Sequence, residues 1–531
     1  MSGLRVTVPI EGIPGVSALY RDYVTRTDAP IHRRVGGFRS GDGDWRRVLA
    51  APHTVDAQLV ERMVAENRAL GASSETLERL RGLADGRTRA VVTGQQPGVA
   101  GGPLLSLYKA ATAIALAREI EARWKTPCVS VFWIGSDDDD FAEVRDLTVI
   151  AESLSPVSVS VEPSAHVPGR RVGDVSGSAV AAAWRAVAPF LGTCDAMARI
   201  GAIVSGGDDM GRIAARVLSQ LTGGNMAVVD SREPLLRSAG RAALLGFFDA
   251  EDAIRTVVRE DGDALTADGY HAQLGTGDDS GLFLVRDGVR QRIPAPARAA
   301  ARAEFARDVT CASPGVIARN LVQDAVFAPV AVVLGPAEIA YRAQIARAYA
   351  LLGVAQPVVF PRLSATFVPS PVGDAIAKSG ADASLLATDP FAWVVQVKQA
   401  AESPRASEAA RRFETSVREA AAALTSATTE RLDARAKEKL ERRVADLLNR
   451  AANLGQGAVE QDALARAAEW PWLSRAQELF IRDGAVQERF VSSMTPFAFH
   501  GTRAWEDVYD VAGRHVRDAL DGRVLHRVYS R

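Results

Sequence analysis

Between residues 89 and 143 the rhythm of apolar and polar positions changes repeatedly. Residues 90–93 form a short apolar run that ends in a loop carrying Gly94, Gly98, Gly101 and Gly102. Pro103 follows, suited to the first turn of a helix. Leu104, Leu107, Tyr108, Ala111, Ile114, Ala115 and Ala117 then recur at helical spacing. Residues 129–134 are a second apolar run, rich in β-branched and aromatic side chains, and Asp137, Asp138, Asp139 and Asp140 close it. Strand, glycine loop, helix, strand and acid cluster make a βαβ unit. Loop and acids then fall at the carboxyl ends of parallel strands, where open α/β sheets bind ligands.

The same patterns organise the rest of the chain. Tyr20, Tyr23 and Phe38 are the expected anchors of residues 1–50, and residues 55–83 predict helix with a break at Gly71. Alternation near 147–150 and 157–161 predicts short strands, followed by helices over 179–191 and 208–221 and a strand at 226–229. Short strands return over 270–293, with turns at 275–277 and 287–288, and a helix follows at 295–306. A strand at 329–334 breaks at Gly335-Pro336 into a helix, and a strand at 358–360 ends at Pro361-Arg362. The pattern predicts an α/β core over residues 1–378, with β-containing insertions at about 144–205 and 262–312. Residues 379–531 read as a C-terminal helical domain and tail. Val417, Leu424, Leu432, Leu440, Val444, Leu447, Ala451 and Leu454 form a seam near heptad spacing, with 426–429 the weakest helical patch.

Composition narrows the class. The chain has 531 residues, 47% hydrophobic and 24% charged, as expected of a globular protein with more than one domain. A net charge of −1 gives no basic field for nucleic acid or anionic membrane. No apolar run reaches the ~18 residues of a membrane span, and residues 1–12 lack the pattern of a signal peptide. Cys128, Cys194 and Cys311 are far apart and odd in number, which argues against disulfides or a zinc knuckle. The expectation is a cytoplasmic protein.

Chemistry concentrates at the predicted strand ends. The glycine loop fits neither the Walker A nor the dinucleotide fingerprint. It offers backbone N–H groups and a helix N-terminus to a phosphate or carboxylate. Thr93, Gln95 and Gln96 add side-chain hydrogen bonds, and Lys109 either reaches the anion or lies on the surface. The aspartate run either holds a metal, an ammonium or a proton in the cleft, or is a solvated loop that caps a helix. Glu338 either complements a helix dipole or faces the cleft, with Tyr341 nearby, and Arg362 is an anion clamp. Arg319, Gln323 and Asp324 are polar positions beside an apolar segment, and His271 stands near a predicted strand start. No zinc motif is legible.

In combination these motifs resemble the BshC family, ligases that add cysteine to glucosaminyl-malate in bacillithiol biosynthesis. Thr93-Gly-Gln-Gln-Pro-Gly98 through Gly102-Pro103 and Lys109 is similar to the family's first motif. Val131-Phe-Trp133-Ile134 with the acids is similar to the second. Ser313-Pro314 with Arg319 and Gln323, then Gly335-Pro-Ala-Glu-Ile-Ala-Tyr341, Pro361-Arg362 and Gln487-Glu-Arg489 follow in order. The family's acid motif reads Glu-Asp-His-Asp, so Asp139 stands in place of its histidine; Gly315 and Asn320 also depart from it.

The resemblance implies an α/β, Rossmann-like parallel-sheet core with connecting-peptide insertions, a C-terminal α-helical coiled coil and a homodimer. It implies a ligase forming a carbon–nitrogen amide bond from L-cysteine to the glucosamine amine of glucosaminyl-malate, the last step of bacillithiol biosynthesis. The activating cofactor stays open; ATP with Mg²⁺ is the candidate. Asp138, Asp140 and Glu338 are the expected catalytic groups. Thr93, Gly94, Gln95, Gln96, Gly98, Gly101, Gly102, Lys109, Trp133, Asp137, His271, Arg319, Gln323, Tyr341 and Arg362 are the expected substrate or anion contacts, with no resident metal. The alternatives are a nucleotide-binding transferase acting on another amino sugar, and a non-catalytic dimeric ligand-binding scaffold.

Overall fold

The computed structural model describes residues 4–275, 281–400, 404–467 and 470–531. Its contacts divide the chain into two units, Met1–Phe367 with Ile481–Arg531, and Val368–Phe480.

The first unit is built on a five-stranded parallel sheet. Its strands are β1 (Arg89–Gln95), β2 (Cys128–Ile134), β3 (Ala227–Asp230), β4 (Ala331–Leu334) and β5 (Val358–Pro361). They lie in the order β5-β4-β1-β2-β3. The chain winds outward from β1 to β3, then crosses back to the other side of β1 for β4 and β5. This is the Rossmann order, and the reversal falls between β1 and β4. Every residue of β2 is buried, as a strand covered on both faces requires. Both edges of the sheet are capped by side chains from the N-terminal segment. Asn67 bonds the N–H (2.7 Å) and C=O (2.8 Å) of Val228 on β3, and the Tyr23 hydroxyl donates to Val359 O on β5 (2.7 Å). Such caps occupy backbone groups that would otherwise template pairing with another chain.

Three helices frame the sheet's carboxyl edge: α1 (Leu104–Trp124) follows β1, α2 (Val316–Phe327) precedes β4, and α3 (Pro336–Gln344) follows it. Leu104, Leu107, Tyr108, Leu116 and Ile120 of α1 are fully buried. A helix this apolar needs cover away from the sheet as well. That cover is α4 (Ala504–Leu520), which packs on α1 through a face that includes Val508, Val511, Ala512 and Val516. The strand Leu525–Tyr529 then pairs with Arg5–Pro9 and Ala365–Phe367 in a second, three-stranded sheet. The expected single domain over 379–531 is therefore corrected: Ile481–Arg531 folds with the first unit, because α1 and the strand after β5 need its apolar surface and its backbone.

The insertions also differ in detail. The first holds the hairpin Asp146–Ile150/Pro156–Ser160 and helices Gly177–Val187 and Asp195–Val204, the last not anticipated. In the second, the helix Glu251–Ala267 runs past the expected start, and the strands are confined to Leu282–Arg286, Val289–Gln291 and Ala312–Pro314. The turn expected at 275–277 lies in part outside the described residues.

In the second unit the helices Pro404–Thr429 and Ala434–Ala467 pack on each other, and the weak patch at 426–429 is where the first of them ends. Trp393 stacks on Trp472, with ring centroids 6.4 Å apart. Among the described residues no helix is long and apolar enough to cross a membrane.

Two buried histidines tie the C-terminal segment to the core. His515 on α4 donates from Nε2 to Pro361 O (2.9 Å), and His526 lies between the hydroxyls of Ser364 (2.8 Å) and Thr366 (2.9 Å). Burial pushes both imidazoles down to about 4. In the unfolded chain each titrates near ~6.5. Between these values the unfolded chain binds protons that the folded chain does not. The stabilisation is therefore complete above pH ~6.5 and is lost as pH falls towards 4. Each histidine should remove about 2 kcal/mol of stability between pH 6.5 and 5. Denaturant titrations at pH 7.5 and 5 should show the loss, and His526→Gln should make it smaller; equal stability at both values would refute the assignment.

Candidate functional site

A cavity of about 330 Å³ opens where β1 and β4 diverge. Its floor is the end of β1 and the residue after it, Thr93 to Gln96, beside Trp133 of β2 and Gly135 just past that strand. Arg319, Asn320 and Gln323 of α2 form one wall, and Gly335, Glu338 and Tyr341 of α3 with Arg362 form another. The strand-order reversal makes this space, because the helices after β1 and β4 leave on opposite sides of the sheet. Its volume lies within the ~300–1,000 Å³ typical of small-molecule sites.

Lys109 crosses the reversal. It is 2% exposed, on the second turn of α1. Its ammonium donates to Gly94 O (2.8 Å) and to Gln95 Oε1 (2.8 Å) and pairs with Glu338 Oε2 (2.6 Å). All three of its donors are thus occupied. Burial pulls the ammonium below the usual lysine range, against the opposing pull of Glu338. The same Glu338 oxygen accepts from the Gly335 N–H (2.8 Å) at the start of α3, leaving Oε1 beside the Tyr341 hydroxyl at 3.5 Å. Burial raises the Tyr341 phenol, so it stays protonated and able to donate. Thr93 donates to Val333 O (2.8 Å) and stitches β1 to β4. At Gly94 a Cβ would stand 2.6 Å from Trp133 O, so only glycine lets the strands close here.

The four aspartates separate into four environments. Asp137 is buried and takes both bonds of the Arg237 Nη2 (2.7 and 2.8 Å) as well as the Ser313 hydroxyl (3.2 Å). Asp138 lines the cavity. It accepts from Gln96 Nε2 (3.0 Å), the Asp139 N–H (2.9 Å) and Arg290 Nη1 (3.3 Å), and lies 4.0 Å from Arg319 Nη1. Burial works against its charge, but Arg319 and Arg290 outweigh burial and hold the carboxyl below its ordinary range. Asp139 pairs with Arg290 at 2.6 Å. Asp140 is exposed and caps the short helix Phe141–Val144 through the Glu143 N–H (3.2 Å).

Several expected contacts are corrected by this geometry. Asp140 has no place in the cavity, because its carboxylate turns outward to cap the next helix. Asp137 is consumed by its buried ion pair. Gly98, Gly101 and Gly102 line no part of the cavity; they form a tight turn whose groups bond within the protein. Gly101 and Gly102 N–H bond Gly98 O and Val99 O, Leu104 N–H bonds Val491 O (2.7 Å), and Ser493 N–H bonds Gly102 O (2.9 Å). The Gly101, Gly102 and Leu104 donors of the expected anion cradle are therefore spent within the protein. His271 is exposed on a loop, apart from the cavity.

Twelve expected residues do share the cavity wall: Thr93, Gly94, Gln95, Gln96, Lys109, Trp133, Asp138, Arg319, Gln323, Glu338, Tyr341 and Arg362. Arg319 makes no side-chain hydrogen bond among the described residues and presents an open cation there. Arg290 was missed. It is stacked over Phe283 (4.1 Å) on the second insertion, and its distance along the chain from Asp138 left no local signal. Gly135 and Glu143 were also missed; Gly135 extends the aspartate motif by two positions and could have been found there. Asn320 and Arg489 stood in the motifs without a role, and both line the cavity. Among the described residues no three histidine, cysteine or carboxylate side chains group closely enough to hold a metal ion.

Comparison with known proteins bears on this site directly. The family model described as bacillithiol biosynthesis BshC, N-terminal Rossmann-like domain, matches residues 13–363, which include every cavity residue named above except Arg489. A Geobacillus thermodenitrificans protein named "Putative cysteine ligase BshC" is 28% identical over 424 residues, covering 74% of this chain and 77% of its own. Proteins of the same name from Chlorobaculum tepidum and Solibacter usitatus are 28% identical over 391 residues (68% and 69% covered) and 30% identical over 321 (58% and 61%). A Rossmann sheet whose switch-point cavity lies almost wholly within the matched segment is the structural counterpart of that similarity, and the chain belongs to the BshC family.

Proposed function

We propose that the protein joins L-cysteine to the glucosamine amine of glucosaminyl-malate through an amide bond, the last step of bacillithiol biosynthesis. The observation that carries this reading is the placement of Arg319, which makes no side-chain hydrogen bond among the described residues, 4.0 Å from the Asp138 carboxylate on the cavity wall. That pair complements a zwitterion: the ammonium of an amino acid on Asp138 and its carboxylate on Arg319. The family's relatives bearing a cysteine ligase name support cysteine as that amino acid.

On this reading Glu338 accepts the proton that the attacking amine releases, with Lys109 and the Gly335 N–H fixing its position and Tyr341 orienting the acyl oxygen. The new bond joins the amine nitrogen to the cysteine carboxyl carbon, and one carboxyl oxygen leaves. A free carboxylate is a poor acyl donor, so the oxygen must leave on an activator, and ATP with Mg²⁺ is the activator proposed. Asp139 pairs with Arg290 and so takes no proton-transfer role here.

The test is incubation of the protein with L-cysteine and glucosaminyl-malate, with and without ATP and Mg²⁺, followed by mass analysis. A thiol product of the two joined with loss of water, formed only with ATP, is expected; no such product under either condition would end the ligase reading. Asp138→Asn should abolish product while leaving the melting midpoint close to wild type, and full activity would remove Asp138 from the mechanism. Asp137→Asn should act the other way. It leaves Arg237 buried without its counter-charge, and equilibrium unfolding should show a loss of about 3–5 kcal/mol.

We also propose a homodimer through the long helices of the second unit. Leu424, Leu447 and Leu454 are 57%, 49% and 65% exposed in one copy, an apolar surface that a second copy would cover. Sedimentation equilibrium should give twice the chain mass, and Leu447→Asp combined with Leu454→Asp should give the single-chain mass. A wild-type protein of single-chain mass would exclude the dimer.

A further inference from the structure

We propose that a second cavity beside the first receives the carboxylates of the acidic co-substrate, and that Arg489 and Tyr20 bind them. The ligand's identity as glucosaminyl-malate rests on the ligase reading above. The second cavity, of about 310 Å³, lies between residues 10–20 and the hairpin of Ile481–Arg482 and Ala485–Val486. Pro336, Arg362 and Arg489 line both cavities, so the two are lobes of one site.

Two polar groups in this lobe have no side-chain hydrogen bond among the described residues. Tyr20 is 1% exposed and lines the lobe, yet its hydroxyl makes no hydrogen bond among the described residues. As a lining group it offers this donor to a ligand in the lobe. Burial raises the phenol and keeps the proton on it. Arg489 makes no ion pair or side-chain hydrogen bond among the described residues. The neighbouring charges are already matched. Arg362 donates to Leu363 O (2.7 Å) and to Glu488 (2.7 Å), and Glu488 also accepts from the Ala365 N–H (2.8 Å). Asp483 is the remaining carboxylate of the lobe and stands at the exposed hairpin turn. Ile10, Ile13 and Val486 are buried apolar wall, which excludes water and strengthens a charge-assisted bond.

Geometry gives the two lobes different occupants. The Asp138–Arg319 pair in the first lobe suits the amino acid. The amine that attacks it must reach Glu338, so the sugar spans the shared wall at Pro336 and Arg362, and the acidic end enters the lobe holding Arg489 and Tyr20.

The test is isothermal titration calorimetry on the full chain with L-malate alone as probe, and then with glucosaminyl-malate. Wild type should bind both. Arg489→Gln should weaken both by roughly 10–100-fold, the size of a lost charge-assisted hydrogen bond. Tyr20→Phe should weaken both by a smaller factor, and L-cysteine affinity should stay unchanged in each variant. Arg489 is exposed and the Tyr20 hydroxyl unbonded, so melting midpoints should match wild type. The proposal is overturned if L-malate does not bind wild type or binds Arg489→Gln equally well. Should malate binding depend on Arg489 while no amide product forms, the lobe stands and the ligase reading falls. Should product form with an unchanged KM for glucosaminyl-malate in Arg489→Gln, the ligase reading stands and the lobe falls.

Discussion

One buried ammonium holds the site together. Lys109 extends from α1 to the end of β1 and onward to Glu338 at the start of α3. It therefore spans the line where the strand order reverses and joins the two halves of the sheet by charge. A buried lysine is tolerable only when its donors are met and a carboxylate is close. The backbone oxygen of Gly94, the amide of Gln95 and Glu338 satisfy those conditions together. The position of each is then set by the needs of the others.

The aspartate run shows how a fold resolves a cluster of like charges. Four adjacent carboxylates left alone would repel and shift towards protonation. Here Asp137 is paired with Arg237, Asp139 with Arg290, and Asp140 is turned out to cap a helix. That leaves Asp138 as the member aimed at the cavity, with Arg290 and Arg319 keeping it ionised. Arg290 also explains how the chain carries Asp139 where a histidine is expected. The residue at this position makes an ion pair to the second insertion, and the insertion thereby becomes part of the cavity's support.

The C-terminal segment completes the first unit in two ways. Helix α4 packs on α1 and covers apolar surface of that helix. The Gln487-Glu488 pair bonds the backbone of the chain just beyond β5, at Phe367 and Ala365, and Glu488 also fixes Arg362. The next residue, Arg489, has no ion pair among the described residues and lines both lobes. A short motif near the end of the chain thus both closes the fold and extends the site.

The sequence alone determined what depends on neighbours along the chain. The apolar runs of β1 and β2, the helical spacing of α1 and the Gly335-Pro336 break before α3 are local patterns, and with them came the α/β class and most of the cavity residues, while the Rossmann-like core was implied by the resemblance to the BshC family. Gly94 and Lys109 were legible because strand ends and the opening turns of the helix that follows are fixed by local geometry. Tertiary structure decided which of those groups remained open. The helix N-terminus at Leu104 looked free, but Val491 and Ser493, far away in sequence, take up the loop's polar groups. The run of aspartates looked uniform until Arg237 and Arg290, 100 and 152 positions from their partners, sorted it. Periodicity reports which face of an element is apolar, and it carries no record of which distant side chain fills each hydrogen bond. Even the boundary at 378 followed from that limit: the change to helical composition is local, whereas the return of Ile481–Arg531 to cover α1 is a matter of which apolar surfaces meet in space.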